Sequence, residues 1–285
     1  MPSDRSVCIS FSGITIRFTF PTPPVLSEPF LALRCDDPGE VHEEFEIRLL
    51  NEPLRPEGAP THSSPGLTIY PEEEGWLRIY SPLIAEDGCQ VACLLCSDGK
   101  NVLYYPASRW DFYSNPLRCF HLIGCEILLL RRDALLLHSS VVMHQGKAVL
   151  FSGPPCAGKS TQAKLWADHL GAEIINGDRC VIMKRDGIFY GGGSPWAGTS
   201  GIYRPEQAPI AGIILVNKAP ENSLQRLGIA AFTPLFTQTI VNSWDTLFME
   251  KITRLFQELL LQVPVYRLNC RPDLEAVELV HRALF

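Results

Sequence analysis

Apolar positions in the first hundred residues recur mostly at period two, in short runs broken by turns. Ile14, Ile16, Phe18 and Phe20 alternate within Val7–Phe20, which stops at Pro21-Thr-Pro-Pro24. Phe45–Leu50, Leu67–Tyr70 and Trp76–Tyr80 give further strands, and Gln90–Cys96 with Val102–Tyr105 form a hairpin across Asp98-Gly99. Asp-Gly favours that turn because it tolerates positive φ. The Pro- and acid-rich stretch from Pro21 to Pro65 is expected to be mostly loop, with room for a short strand inside. The period then lengthens. Leu117, Phe120, Ile123, Ile127 and Leu128 recur at helical spacing behind Asn115-Pro116, an N-cap and first-turn pair, so a helix is predicted over 116–132.

Beyond residue 133 strands alternate with helices. Leu135–Met143 and Ala148–Ser152 are strands around a His144-Gln-Gly146 turn, and a helix is predicted from Lys159 to Leu170, with Gly171 behind it. Glu173–Asp178 is a short strand ending in an acid, followed by an Arg179–Lys184/Ile188–Tyr190 hairpin over Asp186-Gly187. Ile210–Val216 is a continuous apolar strand suited to a sheet covered on both faces. Ser223–Leu227 pairs beside it. Ser243 is read as the cap of a long helix with Leu247, Ile252, Leu255, Phe256, Leu259 and Leu260 inward, before a strand at Pro264–Leu268 and a helix from Asp273 to Leu284. The predicted class is α/β, α+β overall: a β-rich domain over 1–133 and an α/β domain over 134–285.

Composition sharpens this division. Of 25 basic and 31 acidic residues, 11 and 19 lie before residue 136, so the first part is strongly acidic and the second slightly basic. With 46% hydrophobic residues the chain has enough apolar side chains to order itself, and its net charge of −6 argues against nucleic acid as a partner. The longest apolar run is cut by Arg131, Arg132 and Asp133, and Met-Pro-Ser-Asp-Arg-Ser is followed by no leader-like segment. The expectation is a cytoplasmic protein, off the membrane, with free thiols among its ten cysteines. A homo-oligomer is compatible with it.

The chemistry concentrates in Gly153-Pro154-Pro155-Cys156-Ala157-Gly158-Lys159-Ser160-Thr161, which fits G-x-x-x-x-G-K-[ST] between a strand and a helix. Glycines let successive N–H groups curl around a phosphate chain, and the helix N-terminus adds positive potential. Lys159 is then expected at the β- and γ-phosphates of ATP, with GTP as the open alternative, and Ser160 on Mg²⁺. Asp178, 19 residues past Lys159, is expected beside Ser160 on an adjacent strand as the metal's or acceptor's carboxylate. This early acid with a hairpin behind it differs from the parallel order of adenylate-kinase-type enzymes.

These features resemble the HPr kinase/phosphorylase and phosphoenolpyruvate carboxykinase group, above all the HPr-kinase-related proteins found in bacteria beside peptide-modification genes. The resemblance spans about residues 134–285 and is carried by Leu137-His138-Ser-Ser140, the 153–160 loop, Gly177-Asp178-Arg179 and Gly193-Ser-Pro-Trp196. It implies a P-loop kinase core and a hydroxyl acceptor, with Asp178 as base or metal partner and His138 near the transferring phosphate or its acceptor. Where the family often has a second aspartate, this chain has Gly177, so one acid alone carries over.

The glycine-dense stretch from Gly191 to Gly201 reads as a substrate-covering loop, with Ser194, Trp196 and Thr199 as candidate acceptor-site residues. Transfer also calls for a charge-stabilising arginine, Arg179 or Arg204, with Arg204 favoured. Cys89, Cys93 and Cys96 have an iron–sulfur spacing, but the last two lie three apart on a predicted strand and so point to opposite faces. Three functions follow: a kinase for a protein or peptide serine, a catalytically silent nucleotide-binding module, and a small-molecule kinase. The acidic first domain is the candidate for choosing a partner.

Overall fold

The computed structural model describes residues 5–81, 90–113 and 116–285, and the chain is a mixed α/β protein built on two large sheets. It divides into two compact units, one comprising 1–10 and 14–125, the other 11–13 and 126–285.

The first unit holds an eight-stranded sheet. In chain order its elements are β1 (Ser6–Phe11), β2 (Ile14–Thr19), α1 (Glu28–Leu33), β3 (Glu43–Leu50), β4 (His62–Ser64), β5 (Leu67–Glu72), β6 (Gly75–Tyr80), β7 (Val91–Cys96), β8 (Lys100–Pro106) and α2 (Trp110–Tyr113). The strand order is β1-β2-β3-β8-β7-β6-β5-β4, with β3 parallel to both neighbours. Val7–Phe20, read as one run, is two strands, because Ser12 and Gly13 both take positive φ and turn the chain back. Phe18 centres the core, its ring 5.5 Å from Phe45, 5.6 Å from Phe120 and 6.1 Å from Phe30. Within the stretch read as mostly loop, the strand expected at Phe45–Leu50 is β3, and α1 is an addition, with Phe30 and Phe45 both entering that cluster.

The helix predicted over 116–132 is instead a 3₁₀ turn, Pro116–His121, and a separate helix α3 (Cys125–Arg131), interrupted at Gly124 with φ +59°. The predicted cap at Asn115 lies outside the described residues. The units divide after Cys125, so α3 goes with the second unit, whereas the sequence reading drew its boundary at 133.

In the second unit follow β9 (Ala134–His144), β10 (Lys147–Ser152), α4 (Lys159–Leu170), β11 (Glu173–Asn176), β12 (Arg179–Arg185), β13 (Ile188–Gly192), β14 (Gln207–Lys218), β15 (Ser223–Arg226), α5 (Phe232–Phe236), α6 (Thr246–Gln262), β16 (Val265–Cys270) and α7 (Leu274–Leu284). The long strand β9 changes partners along its length. Ala134 to His138 pair with β12, and Ser139 to His144 pair with β10. β10, β14 and β16 run parallel. Their alternating side chains feed two cores. Val149, Phe151, Ile214, Val216 and Leu268 pack with Ala163 and Trp166 of α4 and Val277 and Val280 of α7. Leu150, Ile213, Leu215 and Val265 pack on the other face with Ile252, Phe256 and Leu259 of α6.

Asp245, not Ser243, caps α6, its side chain accepting from the Phe248 N–H at 3.0 Å. Leu247, expected inward, is 77% exposed. Phe248, one turn before Ile252 on the same face, takes the buried place. Among the described residues no helix is long and apolar enough to cross a membrane.

Candidate functional site

The 153–160 loop leaves β10 where its last residue, Ser152, pairs with Ser139 of β9 on one side and Leu215 of β14 on the other. Gly158, with φ +110°, occupies the N-cap of α4, a conformation that a residue with a Cβ adopts only under strain. Pro154, Pro155, Cys156, Ser160 and Thr161 are exposed, while Gly153 and Ala157 are buried. Lys159 is buried and folds back over the loop, its Nζ donating to the carbonyls of Gly153 and Pro154, both at 3.0 Å. Burial pulls its pKa down, and the nearby Asp178 carboxylate opposes that.

Asp178 follows β11, which pairs with β9 and not with β10. The sequence reading put Ser160 and Asp178 on adjacent strands, but β9 lies between them. That interposed strand brings His138. Its Nδ1 lies 3.0 Å from the Asp178 backbone oxygen and 3.4 Å from Oδ1. A carbonyl only accepts, so Nδ1 carries the proton and Nε2 is left as the second nitrogen able to exchange one. Arg179 Nε lies 3.6 Å from Asp178 Oδ2. The approach of His138 is the main cause holding the Asp178 carboxyl below its ordinary range; burial opposes it, and the charges of His138, Arg179 and Lys159 reinforce it. Asp178 is therefore ionised at neutral pH, with about a quarter of its side chain exposed (28%).

A set of buried polar groups holds this carboxylate in place. Asn176 accepts from the N–H groups of Asp178 and Arg179 through Oδ1, at 2.9 and 3.0 Å, and donates from Nδ2 to the Ser194 carbonyl at 3.1 Å. Ser140 Oγ donates to the Gly177 carbonyl, and Ser152 Oγ to that of His138. Sequence reasoning missed Asn176 altogether. Its one signal was an amide two residues before an acid at a strand end, the pattern of a side chain that holds a turn.

The glycine-dense loop meets the site differently from the expectation. Ser194 is fully buried, and its Oγ donates to the Arg179 carbonyl at 2.7 Å, so it ties the loop down and is not open to an acceptor. Trp196 is half-buried, and Thr199 belongs to the 3₁₀ turn Gly198–Ser200. Within that turn Gly198, at φ +56°, packs against Asp178: a Cβ there would stand 2.9 Å from the Asp178 Cβ. Gly177 leaves room for Ser200, whose Oγ occupies the space a side chain at 177 would need. Arg204 pairs with Glu173, at the far end of β11 from Asp178. Arg179 is the arginine brought to the carboxylate.

Cys93 and Cys96 are both buried in β7, Cys89 lies outside the described residues, and among the described residues no three His, Cys, Asp or Glu side chains are grouped to hold a metal. The donors that suit a hard cation are one hydroxyl at the start of α4 and one ionised carboxylate, Ser160 and Asp178. That oxygen set fits Mg²⁺, which takes few protein ligands and the rest from phosphate and water.

Among solved structures the chain is similar to the Hpr(Ser) kinase/phosphatase from Coxiella burnetii, at 13% identity and a TM-score of 0.30, over 52% of this chain and 95% of that one. No protein-family model and no curated protein matches it.

Proposed function

We propose that the second unit is a phosphotransferase that takes the γ-phosphate of a nucleoside triphosphate, ATP foremost, to a hydroxyl group. The observation that carries this reading is the joint placement of a glycine loop with its buried lysine and an ionised aspartate held by His138 and Arg179. In it the loop N–H groups and the α4 N-terminus receive the phosphates, and Lys159 exchanges its two carbonyl contacts for phosphate oxygens. Mg²⁺, when bound by Ser160 and Asp178, would neutralise phosphate charge. Asp178 has a depressed pKa and is thus a weak base, so its work is to orient the acceptor hydroxyl and receive its proton late. Nε2 of His138 offers a place for that proton afterwards, and Arg179 faces the charge on the transferring group.

The acceptor follows from the resemblance carried by His138, the loop, Asp178 and the Gly193–Trp196 stretch, which implies a serine of a protein or peptide. The test is incubation with γ-labelled ATP and Mg²⁺ against peptide, protein and free-serine acceptors. Transfer should fall at least roughly 100-fold in both Lys159→Ala and Asp178→Asn. Nucleotide binding with no transfer to any acceptor would replace this reading with that of a binding module.

A further inference from the structure

The loop has two flanks. On one, β9 brings His138, and the Ser139 N–H donates to the Asp178 carbonyl, so the carboxylate stands on that side. On the other lie the parallel strands β14 and β16, whose C-terminal ends reach the same edge of the sheet. In parallel sheets that edge is where ligands bind. Val216 of β14 abuts the loop: its carbonyl oxygen lies 3.1 Å from the position of a Cβ on Gly153, and its Cγ1 lies 3.7 Å from that on Gly158.

The next residue is Asn217, in register with Asn269 of β16. Val216 and Leu268 point into the core beneath α4, so the two asparagines point to the opposite face. Asn217 Nδ2 donates to Asn269 Oδ1 at 2.9 Å, and Asn269 Nδ2 donates to Ser223 Oγ at 3.2 Å. This chain of two amides and a hydroxyl runs across β14, β16 and β15. The bond to Asn269 holds the Asn217 amide in place, and Oδ1 and the second amide hydrogen have no partners among the described residues. Asn217 is exposed, and one and two strand spacings from β10 place the pair roughly 5 and 10 Å to the side.

We infer that Asn217, oriented by Asn269, is the nucleobase subsite of the triphosphate site, reading a base edge that sets an amino group beside a ring nitrogen, as adenine does. The inference rests on the phosphate-site reading above and extends it. With the γ-phosphate at Asp178 on the β9 flank, the nucleoside extends towards the β14 flank. There an amide with adjacent acceptor and donor makes the bidentate contact that adenine takes from asparagine. Asn217 touches the base, and Asn269 acts through it as a positioning residue.

Calorimetric titration of the full chain in Mg²⁺ with ATP, GTP and inorganic tripolyphosphate tests this. Asn217→Ala should weaken ATP roughly 10-fold or more and leave tripolyphosphate unchanged, which also reports an intact fold. Asn269→Ala should weaken ATP less. Asn217→Asp, an acceptor-only group that suits the N1–H and amino group of guanine, should raise the GTP-to-ATP affinity ratio by roughly 10-fold. ATP affinity unchanged in Asn217→Ala, or falling in step with tripolyphosphate, overturns the base subsite while sparing the phosphate site. Failure of wild-type protein to bind either ATP or tripolyphosphate overturns both.

Discussion

The two units bury polar groups to different ends. In the first, Glu43 and Asn101 are each 2% exposed and serve one turn: Asn101 donates to Glu43 at 2.9 Å and to the Gly99 carbonyl at 3.1 Å, and accepts from the Cys96 N–H. They tie the β7–β8 turn to the first residue of β3. In the second, Ser140, Ser152, Asn176 and Ser194 are buried to a similar degree, but Ser140, Asn176 and Ser194 come from three separate segments to bond the backbone of Gly177, Asp178 and Arg179, and Ser152 bonds the His138 carbonyl beside them. Burying a polar group is costly without a partner. A fold that does so repeatedly at one sheet edge is fixing geometry there, and that edge is the one the proposed function uses.

The sharpest way to break that contrast is Gly198→Val. A branched side chain at φ +56° is strained and collides with Asp178, so phosphoryl transfer should fall roughly 10- to 100-fold, while unfolding shifts by only ~1–2 kcal/mol. Equal losses of activity and stability, by labelled transfer and thermal melting, would mean that the turn is merely structural. Next in size is Asn101→Ala. It removes a buried donor from Glu43 and should cost about 1–3 kcal/mol in denaturant unfolding, yet leave nucleotide titration of the second unit unchanged. A weakened nucleotide affinity would erase the distinction between the two kinds of burial.

The smallest effect concerns pH. Because the Asp178 pKa is lowered on folding, its stabilising contribution is present above the ordinary carboxylate range and lost as pH falls through the depressed value. The acid limb of the stability curve should therefore be slightly shallower in Asp178→Asn than in wild type, below about pH 4. An identical acid limb would show that the charges around Asp178 do not set its ionisation.

How far the sequence revealed this depended on whether the cause was local. Strand, glycine loop and helix around Lys159 follow from residue types in register, and so do the turns at Gln145-Gly146 and Asp186-Gly187, where both residues of each pair take positive φ. The β9–β10 adjacency was expected from their short connection. What escaped was set by distant partners. Phe30 orders α1 in a stretch whose composition reads as loop. β9 enters between β10 and β11, which no spacing reveals. Ser194 looked available because a serine in a glycine-rich loop usually is, and it is spent on the Arg179 carbonyl instead. Arg204 was favoured over Arg179, but Glu173 takes it at the other end of β11, and Arg179 stands by Asp178.

The change of partners along β9 has a kinetic consequence. At the seam, where pairing passes from β12 to β10, the His138 N–H bonds to the Gln238 carbonyl at 2.8 Å and the Ser139 N–H to that of Asp178 at 3.0 Å. Two consecutive amides in the middle of a long strand thus owe their protection from solvent exchange to two loops, one on either side. Their deuterium uptake is a clock for those loops: Ser139 reports when the segment bearing Asp178 lets go, and His138 when the one bearing Gln238 does.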